Sequence, residues 1–187
     1  MTSKPSPDRL APLHLTAHRG LEGLQALRDD WLRLTEADER YWLSFAWQEA
    51  YLRNCFGAAN DVVYYALRDD QGRVLAILPM EPTTAFVRRV PFSCLQIVGS
   101  LGNGITFLAS GADFPADSPT VAAEALRQLI SGLRGRPNAP ALVLIGRAST
   151  ESTALIAARL IGVPSHAQVA VGGWRWLDVN RPYERVS

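Results

Sequence analysis

The sequence predicts an α/β domain with a mixed, partly antiparallel sheet and helices on both faces. Segments in which apolar and polar residues alternate, typical of half-buried strands, are interspersed with segments whose apolar residues recur at steps of three and four, typical of amphipathic helices. Turn-forming residues at 69–72 and 172–173 predict two hairpins. The uninterrupted apolar run at 141–145 is typical of a strand buried on both faces. Hairpins and helical crossovers in one chain predict a mixed sheet.

Two helices are predicted after a first strand at 13–18. The first helix follows Gly20, and its inward face is marked by regularly spaced apolar residues. These are Leu24, Leu27, Trp31 and Leu34. The second helix begins after the N-cap Ser44 and runs through residue 53. Its expected inward stripe consists of Trp47, Tyr51, Leu52 and Cys55.

Four strands are then predicted in succession, at 62–67, 74–80, 92–98 and 105–108. Pro79 and Pro82 are expected to end the second of these strands or to hold it at a bulge or an edge, because proline cannot donate to a strand ladder. Residues 83–89 are predicted to form a loop.

The last third of the chain predicts a helix, a strand, a second helix and a hairpin. Ser118 and Pro119 are typical of an N-cap followed by the first helical residue. The expected inward residues of that helix are Val121, Ala122, Ala125, Leu126, Leu129 and Leu133. The strand at 141–145 leads to a short helix at 152–160, and 166–179 forms the hairpin.

Composition predicts a single domain at 13–180, preceded by a flexible tail at 1–12 and followed at 181–187 by a linker or tail. Basic and acidic residues number 19 and 18, so no basic surface for nucleic acid is indicated. No apolar run is long enough for a membrane span. Cys55 and Cys94 lie in apolar surroundings, which favours free thiols in a reducing, cytoplasmic compartment. The three histidines are too dispersed to indicate a metal site.

The element order, βααββββαβαββ, resembles that of the GNAT acetyltransferases. Four stretches are similar to the CelD/BcsL-type acetyltransferase-domain family, a relative of the FemAB peptidyltransferases. These are residues 45–51, 74–80, 95–100 and 176–183. The resemblance covers about residues 13 to 185 and implies the N-terminal half of a tandem protein. Ser187 then stands where a connecting helix is expected, so the chain is either a fragment or a protein that kept one half.

The resemblance implies an acyl-CoA-dependent N-acyltransferase that uses acetyl-CoA or another acyl-CoA. It implies an amine or sugar-linked acceptor that belongs to cell-envelope or exopolysaccharide metabolism. It also implies that the first domain shapes the acceptor groove and that a second GNAT-like domain holds the cofactor. The alternative is a catalytically inactive GNAT-like scaffold that binds a partner protein. Trp174 and Trp176 share one face of the final strand and predict contact with a second domain, or a homodimer through the C-terminal strands.

Two segments are candidates for the cofactor phosphates. Gln96 and Gly99 belong to the nearest match to the family's Arg/Gln-x-x-Gly-x-Gly/Ala loop, although the match departs from it at its final residue, and a hairpin or bulge is the alternative. Arg147, Ser149 and Thr150 lie between a buried strand and a helix, where a helix N-terminus binds anions, with an ordinary capped helix start as the alternative.

Two carboxylates are candidates for a general base near the centre of the sheet. Glu81 follows the second strand of the early hairpin, and Asp178 lies on the final strand. The alternative for each is a solvated strand-end residue or a turn acceptor. No motif of a serine hydrolase, a P-loop nucleotidase or a zinc protease is present in the sequence.

Overall fold

A computed structural model describes residues 13–54, 61–87, 89–98, 113–134, 136, 139–140, 142–144 and 152–162. Within them, five strands form one sheet in the order β1-β2-β3-β4-β5. The strands are β1 His14–Arg19, β2 Val63–Arg68, β3 Val74–Val87, β4 Val90–Ile97 and β5 Leu142–Leu144. The first four form an antiparallel meander, and β5 runs parallel to β4. The predicted mixed α/β sheet is confirmed.

Helices cover both faces of this sheet, as predicted. They are α1 Gly20–Ala26, α2 Arg28–Thr35, α3 Phe45–Asn54, α4 Pro119–Leu133 and α5 Thr153–Leu160, with a 3-10 turn at Tyr41–Leu43. Because neighbouring strand residues point to opposite faces, β2 contributes to two separate cores. Tyr64 and Ala66 pack with α1, α2 and α3, whereas Tyr65 and Leu67 pack with α4 and α5.

The helix starts follow local sequence signals. Ser44, Ser118 and Ser152 each precede a helix, and each side-chain oxygen accepts a hydrogen bond from a backbone amide in the first turn. The donors are the amides of Trp47, Val121 and Leu155, at 3.2, 3.3 and 3.1 Å. The predicted N-caps Ser44 and Ser118 and the start of the helix after Ser152 are confirmed.

The predicted first helix is divided in two at Leu27, whose φ of −103° and ψ of 6° are not helical. The predicted stripe is nevertheless buried across the break. Leu24, Leu27 and Trp31 are fully buried, and Leu34 packs against the same core. Burial of the stripe therefore continues although the backbone hydrogen bonding is interrupted.

The prediction that β3 ends near Pro79 and that 83–89 is a loop is wrong. β3 continues to Val87 and pairs with β4 along its second half. The carbonyl of Pro79 accepts from the amide of Val98, at the end of β4. The backbone of Pro82 is directed towards the β2 side of β3, but pairing between β3 and β2 ends at Met80. The missing N–H of Pro82 therefore interrupts no ladder, and that of Pro79 affects only the last pair with β4, so both prolines fit in the strand.

The predicted inward stripe of α3 is also partly wrong. Its buried residues are Phe45, Gln48 and Leu52, while Trp47 and Tyr51 are only half-buried. The helix is therefore rotated relative to the prediction, which places a glutamine in the core and leaves the aromatic pair at its margin.

Several predictions concern residues outside the described part: the strand at 105–108, the hairpin at 166–179, Cys55, and the chain ends 1–12 and 181–187. Cys94, which is described, is a free and buried thiol. In the described ranges, no helix has the length and apolar character needed to cross a membrane. Those ranges also hold no group of three or more His, Cys, Asp or Glu arranged to bind a metal ion.

The contact between α1 and β1 requires glycine. A Cβ added at Gly23 would lie 2.5 Å from the carbonyl carbon of His18 and 2.9 Å from its Cβ. Gly23→Ala is therefore expected to lower the free energy of unfolding by about 1–3 kcal/mol, the usual cost of overpacking. Urea unfolding measures this change.

Gly132→Ala is the matched control for that substitution, since Gly132 also lies within a helix and its nearest neighbouring atom is 4.0 Å away. It is expected to be neutral or to stabilise the protein by up to about 1 kcal/mol. Equal effects of the two changes would contradict the close contact at Gly23.

Candidate functional site

A buried carboxylate lies on the α3-facing side of the central strand. Glu81 of β3 is only 1% exposed and is the cross-strand partner of Gln96 on β4. Its Oε1 accepts a hydrogen bond from Nε2 of Gln96 at 2.7 Å. Its Oε2 accepts a hydrogen bond from the hydroxyl of Tyr51, on α3, at 2.7 Å. A buried charge needs such donors, and two elements supply them here.

Two tyrosines, Tyr51 and Tyr64, lie near this carboxylate. Tyr51 stacks on Trp47, one helical turn earlier in α3, with ring centroids 5.4 Å apart and an interplanar angle of 17°. Tyr64 of β2 is fully buried, and its hydroxyl has no hydrogen-bond partner among the described residues. Burial and the negative charge of Glu81 both raise the pKa of Tyr64. We refer to Glu81, Gln96, Tyr51, Tyr64 and Trp47 together as the Glu81 site.

The Glu81 site lies next to a discontinuity in the strand that pairs with β3. The amide of Val98, two residues after Gln96, donates to the carbonyl of Pro79 at 2.9 Å. Pairing with β3 resumes at Pro115, whose carbonyl accepts from the amide of Ile77 at 3.0 Å. Residues 99–112 connect these two positions, which are only two residues apart along β3.

A second buried carboxylate, Asp113, lies at the N-terminus of α5. Its Oδ1 accepts from the amides of Phe114 and Ala154, both at 2.9 Å, and its Oδ2 accepts from the amide of Thr153 at 3.1 Å. Nη1 of Arg40 also donates to Oδ2. The partially positive end of a helix stabilises a negative group at this place, and here that group belongs to the protein itself.

The guanidinium of Arg40 joins this carboxylate to the segment before α3. Its Nε lies 2.8 Å from Oδ1 of Asp38. The hydrogen bond from Arg40 lowers the pKa of Asp38 below its usual value. The hydrogen bond to Asp38 and the charges of both carboxylates raise the pKa of Arg40. The Asp38–Arg40–Asp113 arrangement thus connects α5 to the other side of the domain.

The first turn of α5 is satisfied by the protein itself. The carboxylate of Asp113 accepts hydrogen bonds from the amides of Thr153 and Ala154. The side-chain oxygen of Ser152 accepts a hydrogen bond from the amide of Leu155, and the carbonyl of Ser152 accepts one from the amide of Ile156. Three of the amides that usually make a helix start an anion site, those of Thr153, Ala154 and Leu155, are therefore occupied.

Of the residues predicted for a functional site, the structure brings two together, Glu81 and Gln96. Glu81 is not the solvated strand-end residue of the alternative interpretation, because it is buried in the middle of β3. Gln96 is a strand residue whose side chain donates to Glu81. The other candidates, Asp178, Gly99, Arg147, Ser149 and Thr150, lie outside the described residues.

Sequence reasoning missed Tyr51 and Asp113 as polar site residues. Tyr51 was assigned to an apolar stripe, although a tyrosine at the margin of such a stripe keeps a hydroxyl that needs a partner. Asp113 gave no local signal, since the amides that it binds on α5 lie about forty residues later in the chain.

No family model, no curated protein and no solved structure matches the chain.

Proposed function

We propose that the chain is an acyltransferase-like domain of the GNAT and FemAB-related type, and that it forms one half of an N-acyltransferase. The observation that carries the proposal is the arrangement of the elements. Helices lie between β1 and β2, four strands form an antiparallel meander, and a helical crossover places β5 parallel to β4. This arrangement agrees with the layout that the sequence resemblance implies.

The position of Glu81 supports an acyl-transfer site on this sheet. An N-acyltransferase needs a base to take the proton that the acceptor amine loses as it attacks the acyl group. Glu81 is a carboxylate in the central strand, held by Gln96 and Tyr51. Burial in a site with fixed donors is typical of catalytic carboxylates, although structural networks share this property.

The acyl donor in this proposal is acetyl-CoA or another acyl-CoA, and its site lies largely outside this domain. The amides of α5 that would suit a phosphate are already bound by Asp113 and Ser152. We therefore assign the donor to a second GNAT-like domain or to a second subunit that contacts the C-terminal strands. The acceptor is a primary amine of a cell-envelope or exopolysaccharide precursor, and the cytoplasm is the proposed compartment, which the free thiol of Cys94 favours.

One observation favours the alternative, a catalytically inactive scaffold of the same fold. The protein fills the start of α5 with its own carboxylate, and an internal ion pair fixes that carboxylate in place. A domain that has lost its ligand retains such internal contacts and needs no open anion site. The alternative predicts binding to a partner protein without acyl transfer.

Amine-dependent release of coenzyme A separates the two proposals. At acetyl-CoA concentrations on the order of 1 mM, the upper end of common KM values, the assembly of this chain with the domain or subunit that holds the donor is expected to release coenzyme A only when a primary amine such as glucosamine is present. A thiol reagent detects the release. Glu81→Gln is expected to lower kcat by about 10²–10⁴-fold, the usual contribution of a general base.

Glu49→Gln is the matched control, since Glu49 lies on α3 and binds the exposed side chains of Gln25 and Arg53. It is expected to leave the rate unchanged. No release by that assembly at any donor concentration would favour the scaffold. Saturable low-micromolar binding of acetyl-CoA by the chain alone, abolished by Arg147→Glu, would instead show a self-contained enzyme.

A further inference from the structure

We propose that the second half of β3 is an edge at which two copies of this chain pair strand to strand, forming a dimer through residues 83–87. In this dimer the two β3 strands run antiparallel across a twofold axis at Ala85. The inference goes beyond the proposed function and does not depend on it, because it follows from the backbone hydrogen bonding of β3.

The register between β3 and β4 fixes the direction of each backbone group in β3. The pairs between the two strands run without a shift up to Val87 and Val90. The carbonyl of Pro79 accepts from the amide of Val98, and backbone groups alternate between the two sides of an antiparallel strand. The odd-numbered residues of β3 from Pro79 onwards are therefore directed towards β4. The even-numbered residues direct their backbone groups to the other side.

That other side of β3 is covered by β2 only as far as Met80, which pairs with Val63. The next residue directed to this side is Pro82, which has no N–H, and Thr84 and Phe86 follow. Thr84 and Phe86 each direct an N–H and a carbonyl outwards, and no strand among the described residues pairs with them on this side. Within the described part of the chain, this stretch of β3 is therefore an open strand edge.

The far half of the β3–β4 hairpin is a two-stranded ribbon. Because β5 pairs with β4 at residues 94–96, residues 83–87 and 90–93 have only each other as ladder partners among the described strands. A ribbon of two strands is marginally stable on its own in water. Two ribbons joined through β3 form a four-stranded sheet in the order β4-β3-β3-β4, so each β3 gains a neighbour on its open side.

The two edges of this ribbon differ in how they are protected against pairing. The residues of β4 that are directed away from β3 are Pro91 and Ser93, so a proline removes one of the two amides on that edge. Residues 83–87 of β3 comprise two threonines, an alanine, a phenylalanine and a valine, without a proline or a charge. An unprotected edge of this kind is a template for pairing with another chain.

A second copy of the chain matches this edge in one register. With the axis at Ala85, Thr84 of one chain lies opposite Phe86 of the partner subunit, and each such pair exchanges two hydrogen bonds. The pairing satisfies every outward amide and carbonyl of both residues in both chains. An axis at Thr84 would instead place Phe86 opposite Pro82, which has no amide to donate. An edge without charge selects neither an acidic nor a basic partner, whereas a copy of the same strand is self-complementary.

Sedimentation equilibrium of the full chain tests the dimer. The wild type is expected to dimerise with a dissociation constant on the order of 10 μM, because the interface is small. Thr84→Pro is expected to weaken the dimer at least about tenfold, since it removes an amide that faces the partner and none that bonds to β4. Thr84→Val keeps that amide and is the matched control, with the affinity of the wild type. A wild type that is monomeric at concentrations on the order of 1 mM, or equal affinities of the two variants, would overturn the proposal.

A dimer through the C-terminal strands is the competing arrangement. It is expected to survive Thr84→Pro and to be lost in Trp174→Ser/Trp176→Ser. That result would overturn pairing through β3.

Amide hydrogen exchange of the wild type locates the interface without a substitution, and so also covers a failure of Thr84→Pro to fold. The amides of Thr84 and Phe86 are expected to be protected only at concentrations at which the chain is dimeric. The amides of Thr83 and Ala85, which are directed towards β4, are expected to be protected at every concentration. Protection of Thr84 and Phe86 that is independent of concentration would show that the chain itself covers this edge, and would overturn the proposal.

Discussion

Asp113→Ala is expected to lower the free energy of unfolding by about 2–5 kcal/mol, because backbone amides at the start of α5 lose their acceptor, at about 1–3 kcal/mol each. The side chain of Asp113 is 1% exposed and accepts hydrogen bonds from three backbone amides and from Arg40. Its removal leaves the amides of Thr153 and Ala154 without an acceptor and the guanidinium of Arg40 with one carboxylate fewer. Since single domains have about 5–15 kcal/mol of stability, a loss of this size is readily measured by urea unfolding.

Asp117→Ala is the matched control for Asp113. Asp117 lies four residues later in the same segment and also pairs with arginines, Arg33 at 3.2 Å and Arg73 at 3.0 Å. Its partners are exposed, however, and Arg73 is 58% accessible. Ion pairs at the surface contribute about 0–1 kcal/mol, so this variant is expected to remain close to the wild type. Equal losses in the two variants would contradict a special role for the carboxylate at α5.

Trp31→Ala is expected to cost about 3–5 kcal/mol, the usual penalty for removing a buried aromatic side chain. Trp31 is fully buried between α2 and the sheet, and its ring meets the edge of Tyr64 at a centroid distance of 6.0 Å. Its indole N–H donates to the carbonyl of Leu43 at 2.7 Å. The substitution therefore creates a cavity and leaves a buried carbonyl without its donor.

Trp47→Ala provides the comparison, because Trp47 is half-buried and stacks on Tyr51 at the margin of the core. Its expected cost is smaller than that of Trp31→Ala. Urea unfolding of both variants measures the difference. If Trp47→Ala lowers the free energy of unfolding more than Trp31→Ala does, the sequence-based prediction that Trp47 lies in the core would be supported instead.

The parts of the fold that depend on neighbouring residues in the chain were predictable. Ser118 and Pro119 mark the start of α4 because an N-cap acts on amides two or three residues away. The turn between β2 and β3 follows similarly from Asp69 and from Gly72, whose φ is 81°. The length of β3 was not predictable, because the tolerance of Pro82 depends on where β2 ends.

The candidate site was only partly predictable for the same reason. Glu81 could be singled out as a carboxylate near the centre of a sheet, but its burial depends on Tyr51 and Gln96 from two other elements. The role of Asp113 depends on α5, which packs against it from a distant part of the sequence. Such pairings are set by tertiary packing, for which a single sequence carries no local signal.

The interrupted pairing along β3 has a consequence for how such a domain tolerates insertions. Val98 and Pro115 are both fixed by hydrogen bonds to β3, at positions two residues apart. Changing the number of residues between them alters neither register, and the entropic cost of a closed loop rises by only about 0.6 kcal/mol for each doubling of its length. The described sheet is therefore held in register by its own hydrogen bonds at Val98 and Pro115, whatever number of residues joins them.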